Sequence, residues 1–214
     1  ATTIWGTASS WTLTALPLFV WMGEILFRTK LSENLFKGLS PWMQKLPGGL
    51  IHVNVVGCAL FAAISGSSAA TVATVGKMSI PELRKRNYPE KILLGSLAGS
   101  GTLGLLIPPS IILIIYGVAV QESIAKLFIA GIIPGIMIAL IFMSYVIIWS
   151  LINKKEMPKI LEEYSFLEKI KRSKQLLPII LLISAVIGSI YTGVATATEA
   201  ASLGVIGALI LSYF

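Results

Sequence analysis

Long stretches without an acid, a lysine or an arginine dominate the pattern of this chain. Leu46 to Gly76 runs for 31 residues, Ile92 to Gln121 for 30, Leu127 to Asn153 for 27 and Gln175 to Thr198 for 24. A hydrocarbon layer about 30 Å thick is crossed by about 20 apolar residues in a helix, so each stretch is long enough to enter or cross a bilayer. Backbone groups left unpaired in lipid cost several kcal/mol each, which forces such stretches into helices. The alternation of a membrane β-barrel is absent. The pattern predicts an all-α polytopic membrane protein.

Between these runs lie elements of a different kind. An apolar segment from about Trp11 to Phe27 contains one acid, Glu24. From Leu31 to Lys45, the residues Leu31, Leu35, Leu39, Trp42 and Leu46 recur at spacings of four and three, while Lys30, Glu33, Lys37 and Lys45 fall elsewhere. That spacing predicts a helix lying in the membrane interface, with a solvated loop as the weaker alternative. Glu156 to Lys174 carries an apolar stripe of Ile160, Tyr164, Leu167 and Ile170 amid Lys159, Glu162, Glu163, Glu168, Lys169, Lys171, Arg172 and Lys174. It is too polar to span and reads as a cytoplasmic amphipathic arm in a static part of the molecule. Leu176 to about Thr192 then crosses again, Gly193 to Thr198 is a loop or break, and a further helix starts near Ala200.

Charge sets the orientation. Hydrophobic residues make up 55% and charged residues 13% of the chain, about half the charged share of a soluble domain. The net charge of +7 does not indicate nucleic acid, because the basic residues sit at the ends of apolar runs, where membrane orientation accounts for them. Arg28, Lys30, Lys37 and Lys45 precede the 31-residue run, and Lys77, Arg84, Lys85, Arg86 and Lys91 follow it. A single crossing would put these clusters on opposite sides. A re-entrant hairpin returns both to the cytoplasm and leaves only Lys126, of 17 basic residues, on the other side. Lys45 and Arg84 are therefore expected in one compartment. The midpoint of the run, Ile64-Ser65-Gly66-Ser67-Ser68, supplies poor helix formers and good turn formers.

The next run is interrupted as well. Gly99-Ser100-Gly101-Thr102-Leu103-Gly104-Leu105-Leu106-Ile107-Pro108-Pro109-Ser110 combines three glycines with two adjacent prolines, which loosen a helix and then remove its donors. A proline kink with small residues for close packing is one reading. The other is a discontinuous helix that carries a substrate or ion site, since irregular backbone at membrane depth survives only where it is buried in protein or lines a cavity. Two interruptions in succession favour the site. Neither run contains an acid, so a sodium ion would be held by neutral oxygens from carbonyls and from Ser65, Ser67, Ser68, Ser100, Thr102 and Ser110. The expected ion-binding set is Ser65, Gly66, Ser67, Ser68, Gly101, Thr102 and Gly104. The expected substrate-binding set is Ser67, Ser68, Pro108, Pro109 and Ser110.

Other candidate chemistry is weaker. His52 is the single histidine and Cys58 the single cysteine, which leaves no transition-metal ligand set. His52 and Ser67 would lie about 22 Å apart along one helix, far beyond the reach of a nucleophile and its base, so no enzyme is expected. Glu24 and Glu199 are intramembrane acids or interfacial carboxylates, and Glu199 after Thr196-Ala197-Thr198 also fits a helix cap.

The strings Leu46-Pro47-Gly48-Gly49-Leu50, Ala62-Ala63-Ile64-Ser65-Gly66-Ser67-Ser68-Ala69-Ala70-Thr71-Val72-Ala73-Thr74, Gly101 to Ser110, and Leu127-Phe128-Ile129-Ala130-Gly131-Ile132-Ile133-Pro134-Gly135 occur in this order. The combination resembles the large membrane (M) subunit of tripartite ATP-independent periplasmic (TRAP) transporters. Thr198-Glu199-Ala200-Ala201 fits the same family, with Ala197 where a proline usually stands. The resemblance implies an elevator-type carrier of two inverted repeats in a bacterial inner membrane. It further implies a sodium gradient as the drive, with sodium as coupling ion and no other cofactor. The implied substrates are C4-dicarboxylates or other carboxylates, the implied partners the small membrane (Q) subunit and a periplasmic substrate-binding (P) protein.

On this reading residues 1–48 form a spanning helix and an interfacial helix of a scaffold. Residues 49–121 form the hairpin and broken helix of a transport domain, 122–175 a spanning helix and the arm, and 176–214 the start of a second repeat. The chain is expected to be a piece of a longer protein. An elevator-type symporter that needs no binding protein and a membrane scaffold without a substrate are the alternatives.

Overall fold

The computed structural model describes residues 11–29, 31–158 and 164–213, in which the regular elements are all helices and no strand occurs. A 3-10 turn, Trp11–Thr14, opens into α1 (Ala15–Phe27), and α2 (Leu31–Met43) follows. The hairpin arms are α3 (Ile51–Ser65) and α4 (Ser68–Lys85). The interrupted run becomes α5 (Glu90–Gly101), a 3-10 turn at Thr102–Leu105, an irregular stretch, and α6 (Ile111–Val120). Then come α7 (Ile124–Ile152), α8 (Phe166–Ser173), α9 (Leu177–Tyr191) and α10 (Ala197–Tyr213), with 3-10 turns at Lys154–Glu156 and Lys174–Leu176.

Among the described residues, two helical runs are long and apolar enough to cross a membrane: α7, with 29 residues, and the continuous run Phe166–Tyr191, with 26. The other apolar segments are divided into shorter helices.

The helix at the centre is α3. Nearly all of its residues are buried, against α2, α4, α5 and α7, as expected of a helix apolar on every side. By contrast α7 buries a stripe of Ile124, Phe128, Gly131 and Gly135 and turns Ile133, Leu140, Ile141 and Ile148 outward. The later α10 lies along α1, where Gly204 allows the close approach of Met22.

A helical hairpin is present at the expected place. Arms α3 and α4 join through Gly66 and Ser67. Gly66 takes φ +61°, the left-handed conformation that favours glycine. Ser67 caps α4, its hydroxyl accepting from Ala70 N at 3.5 Å. At the far end the Tyr88 hydroxyl accepts from Leu50 N at 3.0 Å. This bond holds the start of α3 beside the end of α4, so the flanks of the hairpin share one end of the molecule. Arg84 forks onto Glu90 at 2.6 and 3.1 Å and joins α4 to α5.

The arm differs from its predicted extent. A single helix over Glu156–Lys174 does not form. Met157 is extended before Pro158, the conformation that a following proline imposes. Helix α8 begins only after Ser165, which forms a capping box with Glu168, and Ser165 N donates to Glu168 Oε2 at 2.9 Å. Lys159, Ile160, Glu162 and Glu163 of the predicted arm, and Lys30 of the predicted interfacial helix, lie outside the described residues. The arm also runs into α9 without a loop. It packs on α2, where Trp42 Nε1 donates to Ser173 Oγ at 2.8 Å. Phe166 meets the Trp42 ring edge-on at 6.4 Å, and Leu176 seats on Gly38.

Candidate functional site

Hairpin tip and broken helix meet. Ile111 N donates to Gly66 O at 3.2 Å, a direct bond from the first turn of α6 to the tip. A Cβ at Gly66 would lie 2.7 Å from Pro109 O, and one at Gly104 would lie 2.8 Å from Ser68 N and 2.9 Å from Ser67 C. At Gly101 a Cβ would collide with Val72 of the second arm. Three glycines of the expected ion-binding set are thus the points at which the two interruptions touch. Their missing side chains are what permits the backbone approach.

The tip is internally bonded. Ser65 Oγ and Thr71 Oγ1 share a hydrogen bond of 2.9 Å across the turn, and Ser65 Oγ also donates to Ser67 O at 3.3 Å. Ser67 N in turn donates to Ser65 Oγ at 3.4 Å. One oxygen is left over: Ser68 Oγ is buried and has no hydrogen-bond partner. A buried hydroxyl without a partner forfeits about 1–3 kcal/mol. Such an atom beside a backbone break is a free ligand for a hard cation.

The remaining expected residues are distributed as follows. Thr102 is exposed beside the tip, its hydroxyl donating to Gly99 O at 2.7 Å; lone pairs remain on it. Pro108, Pro109 and Ser110 are buried, and the Pro108–Pro109 peptide is cis. Ser110 Oγ donates to Leu105 O at 2.7 Å and accepts from Leu113 N at 3.4 Å, which makes it the cap of α6. Ser100 is buried and bonds within α5 and, at 3.4 Å, to Asn54 O. The set therefore falls into one locality, with tip, 3-10 turn and α6 start in contact.

Three features of this locality were not legible from the sequence. Asn54 in α3 donates to Leu93 O at 3.2 Å and to Ser96 Oγ at 3.0 Å, which pins the first arm to α5 in a wholly buried contact. A lone amide in an apolar helix is the signal that points to such a pin. The second is Thr71, the partner of Ser65. The third is the pair Gly131 and Gly135 on α7. A Cβ at Gly131 would lie 2.7 Å from Leu106 O, and one at Gly135 would lie 2.9 Å from the Ile107 side chain. Small residues four apart give α7 the groove into which the irregular backbone fits. That spacing could have been found in Gly131-Ile132-Ile133-Pro134-Gly135.

The other titratable candidates have structural surroundings. His52 is buried and its Nε2 lies 2.8 Å from Pro47 O. Cys58 is buried and free. Glu24 pairs with Arg28 at 2.7 Å, both exposed. Glu199 Oε2 accepts from Thr196 N and Thr196 Oγ1, each at 2.8 Å, a cap at the start of α10.

Comparison with known proteins identifies what shares this sequence. The family model described as "Tripartite ATP-independent periplasmic transporter, DctM component" matches residues 1–214. The C4-dicarboxylate TRAP transporter large permease protein DctM of Pseudomonas aeruginosa is 36% identical over 208 residues, covering 97% of this chain and 48% of the relative. The sialic acid TRAP transporter large permease protein SiaM of Vibrio cholerae is 36% identical, covering 96% of this chain and 48% of its own. The isethionate TRAP transporter permease protein DctMQ of Oleidesulfovibrio alaskensis is 34% identical, covering 96% and 32%. The chain spans about half the length of the large permease relatives it matches.

Proposed function

The chain belongs to the family of TRAP transporter large membrane components, and from that premise we propose that it supplies one hairpin and one broken helix of a sodium-coupled importer of small organic anions. The family is one of membrane transport components and not of enzymes. On our reading the full-length protein is a multi-pass protein of a bacterial inner membrane. Residues 49–121 form the moving transport domain, 1–48 and 122–175 the static scaffold with its arm, and 176–214 the start of a second repeat in an elevator-type carrier.

The observation that carries the reading is Ser68 Oγ, buried and unpartnered where Gly104 lets the break touch the tip. A sodium ion there would take oxygens of Ser65, Ser67, Ser68 and Thr102 together with carbonyls of the two interruptions, with Gly66, Gly101 and Gly104 shaping the backbone. Binding would tie α4 to the 3-10 turn and order the neighbourhood of Ser67 and Ser68, beneath which Pro108, Pro109 and Ser110 of the expected substrate set are buried. The positive end of the α6 dipole lies in that neighbourhood, and a carboxylate is favoured near such an end. Ordering by the cation before the anion docks is the physical route to coupling.

Relatives named for C4-dicarboxylate, sialic acid and isethionate support an organic anion as substrate. A relative named as a DctMQ protein supports a small Q subunit as partner. Delivery by a periplasmic binding protein completes the proposal.

Sodium-dependent uptake by the full-length protein tests it. Ser68→Ala and Thr102→Ala should each raise the sodium concentration for half-maximal uptake, by about fivefold for a contact worth about 1 kcal/mol, while expression is kept. Unchanged sodium dependence in both variants would place the ion elsewhere.

A further inference from the structure

We propose that the outer face of the arm, Leu167, Ile170, Lys171, Lys174 and Leu177, is a binding site for anionic phospholipid. The inference goes beyond the transport reading and rests only on the chain being a membrane protein. The inner side of α8 is occupied: Ser173 bonds to Trp42, Lys169 lies 5.5 Å over the Trp42 ring, and Leu176 is buried on Gly38. On the other side Leu167 is 76% exposed, Ile170 43% and Leu177 55%. Lys171 and Lys174 are exposed among them. These five residues follow one another at spacings of three, one, three and three, which keeps them on one side of a helical run.

Among the described residues of α8, the other charges are engaged locally. Glu168 closes the capping box, and Arg172 donates to Tyr164 Oη at 3.1 Å with its guanidinium 4.2 Å over that ring. Lys171 and Lys174 are therefore the cations presented outward.

The occupant follows from continuity and charge. Because α8 passes into α9 without a loop, the apolar face continues through Leu177 to Ile180 and Leu181, both exposed on the candidate span. The two lysines stand where that span leaves the hydrocarbon. Acyl chains would lie along Leu167, Ile170 and Leu177, and the ammonium groups would reach the phosphate above them. A neutral lipid would fill the apolar part alone.

The test uses detergent-solubilised full-length protein titrated with phosphatidylglycerol, with thermal stabilisation as the readout. Phosphatidylcholine of the same chains and inorganic phosphate are the comparison arms. Phosphatidylglycerol should stabilise, and the other two should not. Lys171→Gln with Lys174→Gln should raise its half-maximal concentration by about 25-fold, on the order of fivefold per lysine. Lys171→Arg with Lys174→Arg should restore it, and Lys126→Gln should leave it unchanged. Equal stabilisation by phosphatidylcholine, equal stabilisation by phosphate, or an unaltered response of the double glutamine variant would each overturn the proposal. So would loss of the small membrane subunit from that variant with the lipid response intact, which would make the face a protein interface.

Discussion

At the scale of single residues, the glycines divide by what a side chain would meet. Gly95 in α5 has nothing within 4 Å of the point where a methyl group would sit, whereas Gly104 has Ser68 N and the Ser67 carbonyl carbon inside 3 Å. Both backbones accept alanine by conformation, since neither has a positive φ. Only packing separates them. Gly95→Ala should leave uptake by the full-length protein unchanged. Gly104→Ala should push the tip from the break at a cost of about 1–3 kcal/mol, or roughly five- to 150-fold in apparent sodium affinity. Sodium titrations of uptake for the two variants make the comparison. Equal behaviour would show that the contact between tip and break is not needed for ion binding.

At the scale of elements, the hairpin is the decisive object. Its turn is two residues long, one in the left-handed conformation and one a serine cap, so the chain reverses without exposing more than a minimum of backbone. Tyr88 locks the open end through Leu50 N, and burial raises the pKa of its phenol above the ordinary value. The arrangement puts Lys45 and Arg84 at one end. Cysteines introduced at these two positions of the full-length protein should be modified by an impermeant reagent from the same side, the cytoplasmic one. Labelling from opposite sides would mean that the run crosses the bilayer once. Asn54 has a comparable part on the other flank, where it binds the first arm to α5 with hydrogen bonds that average about 0.6 kcal/mol in membrane interiors.

For the whole molecule, charge placement is the governing feature. The hairpin run and the broken run contain no charged residue, so those two runs by themselves offer a dilute anion no long-range attraction. Capture by a soluble partner with its own charged site would supply that attraction. Full-length protein with its small subunit should import a carboxylate, under a sodium gradient, only when a cognate periplasmic binding protein is added. Equal uptake without it would place the protein among carriers that need none. The outward face of α7, with Ile133, Leu140, Ile141 and Ile148 exposed, suits hydrocarbon or further membrane helices, and no aqueous surface would leave it so apolar.

Legibility in the sequence followed the range of the interactions involved. The helical class, the two interruptions and the helical reversal between them were readable because each rests on local physics: apolar length, and glycine and proline at particular places. The same holds for Glu199 as a cap, where Thr196 stands three residues before it. The extent of the arm differs because the charged stretch begins at Glu156, while the backbone at Met157 is extended before Pro158 and the capping box at Ser165 sets the start of α8. What only the tertiary structure decided is which distant residues meet. Gly104 faces Ser68, Gly66 faces Pro109, Asn54 reaches Leu93, and α7 admits Leu106 and Ile107 at Gly131 and Gly135. Those contacts depend on how arms fold back over tens of residues, and no periodicity or composition along the chain encodes the pairing of one small residue with another. The sequence by itself determined the apolar runs that suit a membrane and where its helices break; the packing of those breaks against each other determined that they meet in one locality.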